Sequence, residues 1–278
     1  METTSFESYF KKRNPNYVFL ISRMRAAMEV SKVTFDDITT TNLRAFKDYM
    51  EGEVSANSLN TYFAVLKATI NEMVYDGLIT NPHCIDVLKV KKTPSQHCCL
   101  TEEELIKFDE YKPRTQTEKD VKILFMRGAF SGARSCDCAV MSNDNASDGL
   151  LTYVSKKTKV GVTQPIHRRL QKYLNMQPRK THARVVVNRI IQEICRRLGF
   201  TEPISLSRNG RIITKPKYEW ITMHASRRSF CTSLAVRGVP VETIAKLAGH
   251  QNSSTTSKFY ICMDTKQLGA EAMSFFNA

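Results

Sequence analysis

Apolar residues recur at spacings of three and four along the first third of the chain. Between Ser55 and Tyr75, the residues Leu59, Tyr62, Phe63, Leu66, Ile70 and Met73 form one stripe, which predicts a helix burying that face. An apolar run over Tyr17–Val30 predicts another helix. Thr39–Met50 predicts a third, with Ser and Thr placed to cap the starts near 39 and 55. Gly77 stops the long helix, and Asn81-Pro82 marks a turn. Leu88–His97 reads as a basic linker. Beyond it Thr101 and Glu104 form a capping box, and Leu100 and Leu105 a hydrophobic staple, so a new helix opens there.

The remainder alternates in period. Val121–Phe130 predicts a buried helix that ends at Ser131-Gly132. Leu150–Ser155 and Gly161–Ile166 read as two short strands around a turn rich in Lys, approached through Asp148-Gly149. Helices follow near Arg168–Asn175, Ala183–Leu198, His224–Arg237 and Val241–Leu247, and no internal repeat interrupts the series. The expected fold class is mainly α with a small β-sheet. A helical N-terminal domain over residues 1–90 and a linker over 91–99 lead to an α+β domain over 100–278.

A chain of 278 residues can sustain two domains without disulfide or metal staples. No apolar run approaches the ~20 residues that span a bilayer. The first residues, Met1 to Glu7, lack the basic-then-apolar pattern of a secretory signal, so a cytosolic chain with eight reduced cysteines is expected. His83-Cys84 and His97-Cys98-Cys99 fit no usual zinc spacing. Charge changes the picture most. Residues 1–95 carry 12 basic and 11 acidic side chains, whereas residues 96–278 carry 29 and 16. The C-terminal excess favours a polyanionic partner, because each neutralised phosphate releases counterions. A basic protein with no such partner is the competing reading.

Four separated signals bear on chemistry. Ser131-Gly132-Ala133-Arg134 ends a buried helix and presents an arginine, and Asp137 follows. Lys156-Lys157-Thr158 closes a strand eight to nine residues before Pro165. His224-Ala225-Ser226-Arg227 opens a helix, with His224 and Arg227 on one face. Leu247-Ala248-Gly249-His250 precedes Ser254-Thr255-Thr256 and then Tyr260. Each signal alone has a plain structural explanation: a solvated helix-end arginine, a surface lysine cluster, a core histidine. In this order they strongly resemble the tyrosine recombinases, the phage integrase family. The resemblance runs from about residue 5 to about residue 265, including an exit from the first domain over Gly77–Pro82.

The resemblance implies a SAM-like core-binding domain followed by a catalytic domain. It also implies six site residues: Arg134, Lys157, His224, Arg227, His250 and the nucleophile Tyr260. Two arginines suit the non-bridging oxygens of a phosphodiester because their donor forks stay charged at every working pH. His224 is the implied base and Lys157 the implied acid for the leaving 5′-oxygen, with Lys159 the second choice for that acid. His250 donates to the scissile phosphate. Tyr260 stands ten residues after His250, one more than the family usually shows, and Phe259 holds the usual spot; no other tyrosine follows His250. Whether Tyr260 acts within its own subunit is left open by that shift.

No cofactor or metal is implied. The expected partners are double-stranded DNA core or attachment sites and a homo-tetramer on that DNA, linked by exchange of the apolar tail Met263–Ala278. An accessory directionality factor is left open. The implied location is the bacterial cytoplasm, with the nucleoid. Integration of a phage or mobile element, a Xer-like resolution and a DNA inversion all use the same chemistry. A nicking-closing topoisomerase and an inactive DNA-binding regulator on the same fold are the rivals.

Overall fold

The computed structural model describes residues 5–93, 96–208, 211–250 and 253–257. The chain divides at residues 95/96 into two compact units. Among the described residues no helix is long and apolar enough to cross a membrane.

The first unit is helical: α1 (Phe6–Arg13), α2 (Phe19–Met28), α3 (Thr40–Glu51) and α4 (Ala56–Tyr75). The stripe on α4 is buried at Leu59, Phe63, Leu66, Ile70 and Met73, and it packs on Leu20, Met24, Leu43 and Phe46 from the neighbouring helices. Two details differ from the sequence expectation. A short 3₁₀ turn over Pro15–Tyr17 delays α2, and α1 was not expected. α1 has only two apolar anchors, Phe6 and Phe10, but a Ser5–Ser8 capping box opens it. Its buried Glu7 then accepts Arg25 Nε at 2.8 Å and the Val33 N–H at 2.9 Å. The Arg25 hydrogen bond holds the Glu7 carboxyl below its ordinary range.

The second unit opens with α5 (Glu102–Glu110), whose Thr101–Glu104 capping box forms as expected. The central helix α6 (Gln116–Ser131) starts five residues earlier than predicted because Thr115 caps it. Then come α7 (Ser135–Cys138), the strands β1 (Ala146–Ser147), β2 (Leu150–Val154) and β3 (Gly161–Pro165), and α8 (Gln171–Leu174). The helix expected over 168–175 is thus only four residues long. The β1–β2–β3 sheet is antiparallel, with Leu151 opposite Gln164 and Tyr153 opposite Val162. α9 (Arg184–Arg197) leads to an unpredicted hairpin, β4 (Pro203–Arg208) and β5 (Arg211–Pro216). Four helices finish the described chain: α10 (Lys217–Trp220), α11 (Met223–Val236), α12 (Val241–Ala248) and α13 (Ser253–Ser257). The core of this unit lies around α6, with Phe108, Phe125, Ile191, Ile194 and Ala225 all buried. Arg127, buried inside α6, is satisfied by the carbonyls of Cys138 at 2.8 Å, Tyr173 at 3.1 Å and Met176.

Candidate active site

α6 and α11 lie in close contact, and glycines on α6 permit it. A Cβ on Gly128 would stand 2.3 Å from Ser226 Oγ. Gly132 ends α6 in the left-handed region, φ +65°, where a Cβ would stand 2.5 Å from the Phe230 ring. Glycine meets both demands at once. The turn delivers Arg134 to the start of α7. Its Nη1 donates to Ser155 Oγ at 2.9 Å, to the Gly249 carbonyl at 3.3 Å and to Thr158 Oγ1 at 3.4 Å. The Gly249 carbonyl is close because α12 ends in a left-handed residue, φ +66°. A Cβ on residue 249 would stand 2.7 Å from Val162.

Asp137 is buried one turn beyond Arg134. Its Oδ2 accepts Ser155 Oγ–H at 3.1 Å and its Oδ1 accepts the Lys156 N–H at 2.9 Å. The carboxylate therefore fixes the turn between β2 and β3, which carries the exposed Lys157. Gln164 fixes the other side of that hairpin, donating to the Ser131 carbonyl at 2.7 Å.

α11 supplies His224 and Arg227 from its first turns. Arg227 is 2% exposed, and its Nη1 donates to the Gly132 carbonyl at 2.6 Å. Its Nη2 is buried and meets no hydrogen-bond partner among the described residues. A buried donor left in that state costs about 1–3 kcal/mol. An anionic oxygen is the acceptor that would offset it. Burial, then the charge of Arg134, lowers the Arg227 guanidinium from its ordinary value, yet it stays protonated.

Both histidines register this positive field. The His224 ring reaches the surface, but surrounding protein and then Arg228, Arg227, Arg134 and Lys157 press it down to about 4. His250 is pressed down to about 3 by burial, then by Arg227, Arg134 and His224. Its Nδ1 lies 2.9 Å from Thr256 Oγ1. Both imidazoles are neutral at pH 7. Arg134, Arg227 and Lys157 are thus close enough to act on His224, and Arg134, Arg227 and His224 on His250, so the structure brings these five residues together. Tyr260, the sixth predicted site residue, lies outside the described residues.

Ser155, Gln164 and Thr256 belong to this constellation and were not singled out from the sequence. Thr256 stood in the Ser254-Thr255-Thr256 run of the fourth signal, and Gln164 carried a signal in sharing the buried face of β3 with the apolar Val162. A site of this make-up, with two guanidiniums, two neutral imidazoles and a nearby ammonium, is suited to gripping a tetrahedral anion and moving protons beside it.

Residues 99–267 match the family model described as the phage integrase family, and residues 4–87 match that of the phage integrase SAM-like domain. No curated protein matches the chain. Among solved structures, a lambda integrase dimer bound to a COC′ core site is similar, with TM-score 0.68 and 18% identity over 94% of this chain and 96% of that one. A lambda integrase tetramer bound to a Holliday junction gives 0.64 and 17% over 93% and 78%. The Tn1549 transposon integrase in complex with a circular intermediate DNA gives 0.63 and 14% over 98% and 100%. At such identities these three likenesses establish the fold.

Proposed function

The chain belongs to the phage integrase family of site-specific tyrosine recombinases, and from that membership we propose that it cleaves and rejoins duplex DNA through a covalent 3′-phosphotyrosyl link. The observation that carries the proposal is the buried Nη2 of Arg227, which has no hydrogen-bond partner among the described residues, close to Arg134, His224 and His250.

The residues divide the reaction as follows. Arg134 and Arg227 hold the non-bridging oxygens and offset the charge that grows on them in the phosphorane-like transition state. The Tyr260 phenol gives its proton to His224 as its oxygen bonds to phosphorus. The bond from phosphorus to the 5′-oxygen breaks, and the Lys157 ammonium supplies the proton that this oxygen takes up. His250 donates to the phosphate. The phosphotyrosyl link conserves the bond energy, so the reverse attack by a 5′-hydroxyl rejoins the strand without ATP.

In this reading residues 1–90 clamp one face of the duplex and residues 100–278 the other, joined by the linker 91–99. Two protomers occupy inverted half-sites, and two such pairs form a tetramer linked through the tail Met263–Ala278. The errand that best fits is integration or excision of a phage or other mobile element, in the cytoplasm of its host. A nicked suicide substrate, which traps the cleaved strand, tests the chemistry. Wild-type chain should form a covalent adduct and Tyr260→Phe none. Adduct in Tyr260→Phe would reject Tyr260 as nucleophile, and DNA binding without any adduct would favour a noncatalytic regulator.

A further inference from the structure

We propose that Ser155 is a positioning residue for strand cleavage: its hydroxyl ties the Arg134 guanidinium to the turn that carries Lys157. The inference rests on the recombinase reading above and deepens it.

Ser155 follows β2 and is 1% exposed. A hydroxyl has one proton and two lone pairs, so it can serve a cation on one side and a carboxylate on the other. Here it accepts from Arg134 Nη1 at 2.9 Å and donates to Asp137 Oδ2 at 3.1 Å. The backbone of the same residue closes the Lys turn. Its N–H donates to the Val160 carbonyl at 2.9 Å, and its carbonyl accepts the Lys159 N–H at 2.8 Å. Asp137 completes the tie through the Lys156 N–H. One residue thus sets both the angle of a phosphate-gripping arginine and the path of the loop bearing the acid.

The serine also solves an electrostatic problem. Arg134 and Asp137 make no ion pair with each other and meet through the Ser155 hydroxyl. A direct pair would hold Arg134 firmly but neutralise it. The intervening hydroxyl lets the carboxylate orient the guanidinium while leaving its charge for the phosphate. Every hydrogen bond of the Arg134 guanidinium to the described residues runs through Nη1, so Nε and Nη2 are left for an anion.

The test is single-turnover cleavage of a suicide substrate by wild type, Ser155→Ala, Ser155→Thr and Asp137→Asn, alongside DNA affinity and melting temperature. Ser155→Ala should cleave about 10–100-fold more slowly, the loss of one charge-assisted hydrogen bond, with affinity unchanged within about twofold. Ser155→Thr should recover most of the rate. Ser155→Ala and Asp137→Asn combined should be no slower than the worse single variant, since both cut one relay. A scissile methylphosphonate, which is neutral, asks less of the guanidinium pair, so the Ser155→Ala deficit should shrink by about fivefold or more there. A deficit equal on both substrates, or one that tracks melting temperature, would mean a merely structural serine and overturn the proposal. So would undiminished cleavage by Ser155→Ala. Absence of adduct from wild type overturns the recombinase reading and this inference with it, whereas a wild-type adduct with a fully active Ser155→Ala overturns this inference alone.

Discussion

The carbonyl of Gly132 accepts a 2.6 Å hydrogen bond from Nη1 of Arg227, and the ring of Phe230, three residues further along α11, fills the space where a side chain on residue 132 would begin. One glycine therefore sets both the exit of α6 and the depth of the buried guanidinium. Gly132→Ala should lose about 2–4 kcal/mol, from a left-handed alanine and a clash with a packed ring. Urea denaturation measures it. Adding Phe230→Leu should return the steric part and leave the backbone part, so the two substitutions should be non-additive. Additive losses would mean that ring and glycine do not oppose each other.

Arg227→Lys keeps a positive charge in the pocket but loses the planar fork that spans Gly132 and an anion. Cleavage of a suicide substrate should fall about 10²–10³-fold, the usual effect of removing one preorganised donor from a developing oxyanion. DNA affinity should change far less, because the substituted side chain stays cationic. A variant with wild-type cleavage would show that the buried guanidinium serves the fold alone.

How far the sequence disclosed this molecule depends on how local each cause is. The α4 stripe and the Thr101–Glu104 capping box are local, and both form as read. α1 was not read because it has only two apolar anchors and is tied down by distant partners, such as Arg25, 18 residues from Glu7. The β4–β5 hairpin escaped because β5 is exposed on nearly every residue and shows no apolar alternation, although Asn209-Gly210 between the strands is itself a hairpin signal. Arg134, Lys157, His224, Arg227 and His250 were reached through the ordered resemblance to a family, and the structure places them near one another. Ser155 was not reached that way, because a serine acquires its role only from Arg134 and Asp137, 21 and 18 residues away.

Two lysines of the hairpin turn should separate cleanly. Lys157 is among the charges that depress His224, while Lys159 occupies a left-handed conformation, φ +57°, that closes the turn. Lys157→Ala should slow cleavage of a normal substrate by about 10²-fold or more and recover on a 5′-bridging phosphorothiolate, whose thiolate leaves without a proton. Lys159→Gly should cleave normally and gain about 0.5–1 kcal/mol of stability, because glycine relieves the left-handed strain at some entropic cost. Rescue of Lys159→Ala instead of Lys157→Ala by the sulfur substrate would reverse the assignment.

The depressed histidines give the fold a pH dependence whose sign is fixed. An imidazole in the unfolded chain titrates near ~6.5, whereas His250 in the fold holds off its proton until about 3 and His224 until about 4. Between these limits the unfolded state binds more protons, so stability falls as pH is lowered from ~6.5 towards ~3. Carboxylates such as Glu7 and Asp109, held low by their cationic partners, act in the same direction at the acid end. The histidine share is therefore read as the difference between wild type and His250→Gln, which should lose less melting temperature between pH 6.5 and 4. An anion in the pocket works oppositely, since it neutralises the arginines that depress both rings and binds only the folded chain. Inorganic sulfate should raise the wild-type melting temperature and move the His250 resonances to a higher titration midpoint by NMR. Both effects should be weaker in Arg227→Lys. Equal stabilisation of wild type and Arg227→Lys by sulfate would locate the anion elsewhere on this basic domain and leave the unpartnered Nη2 without its explanation.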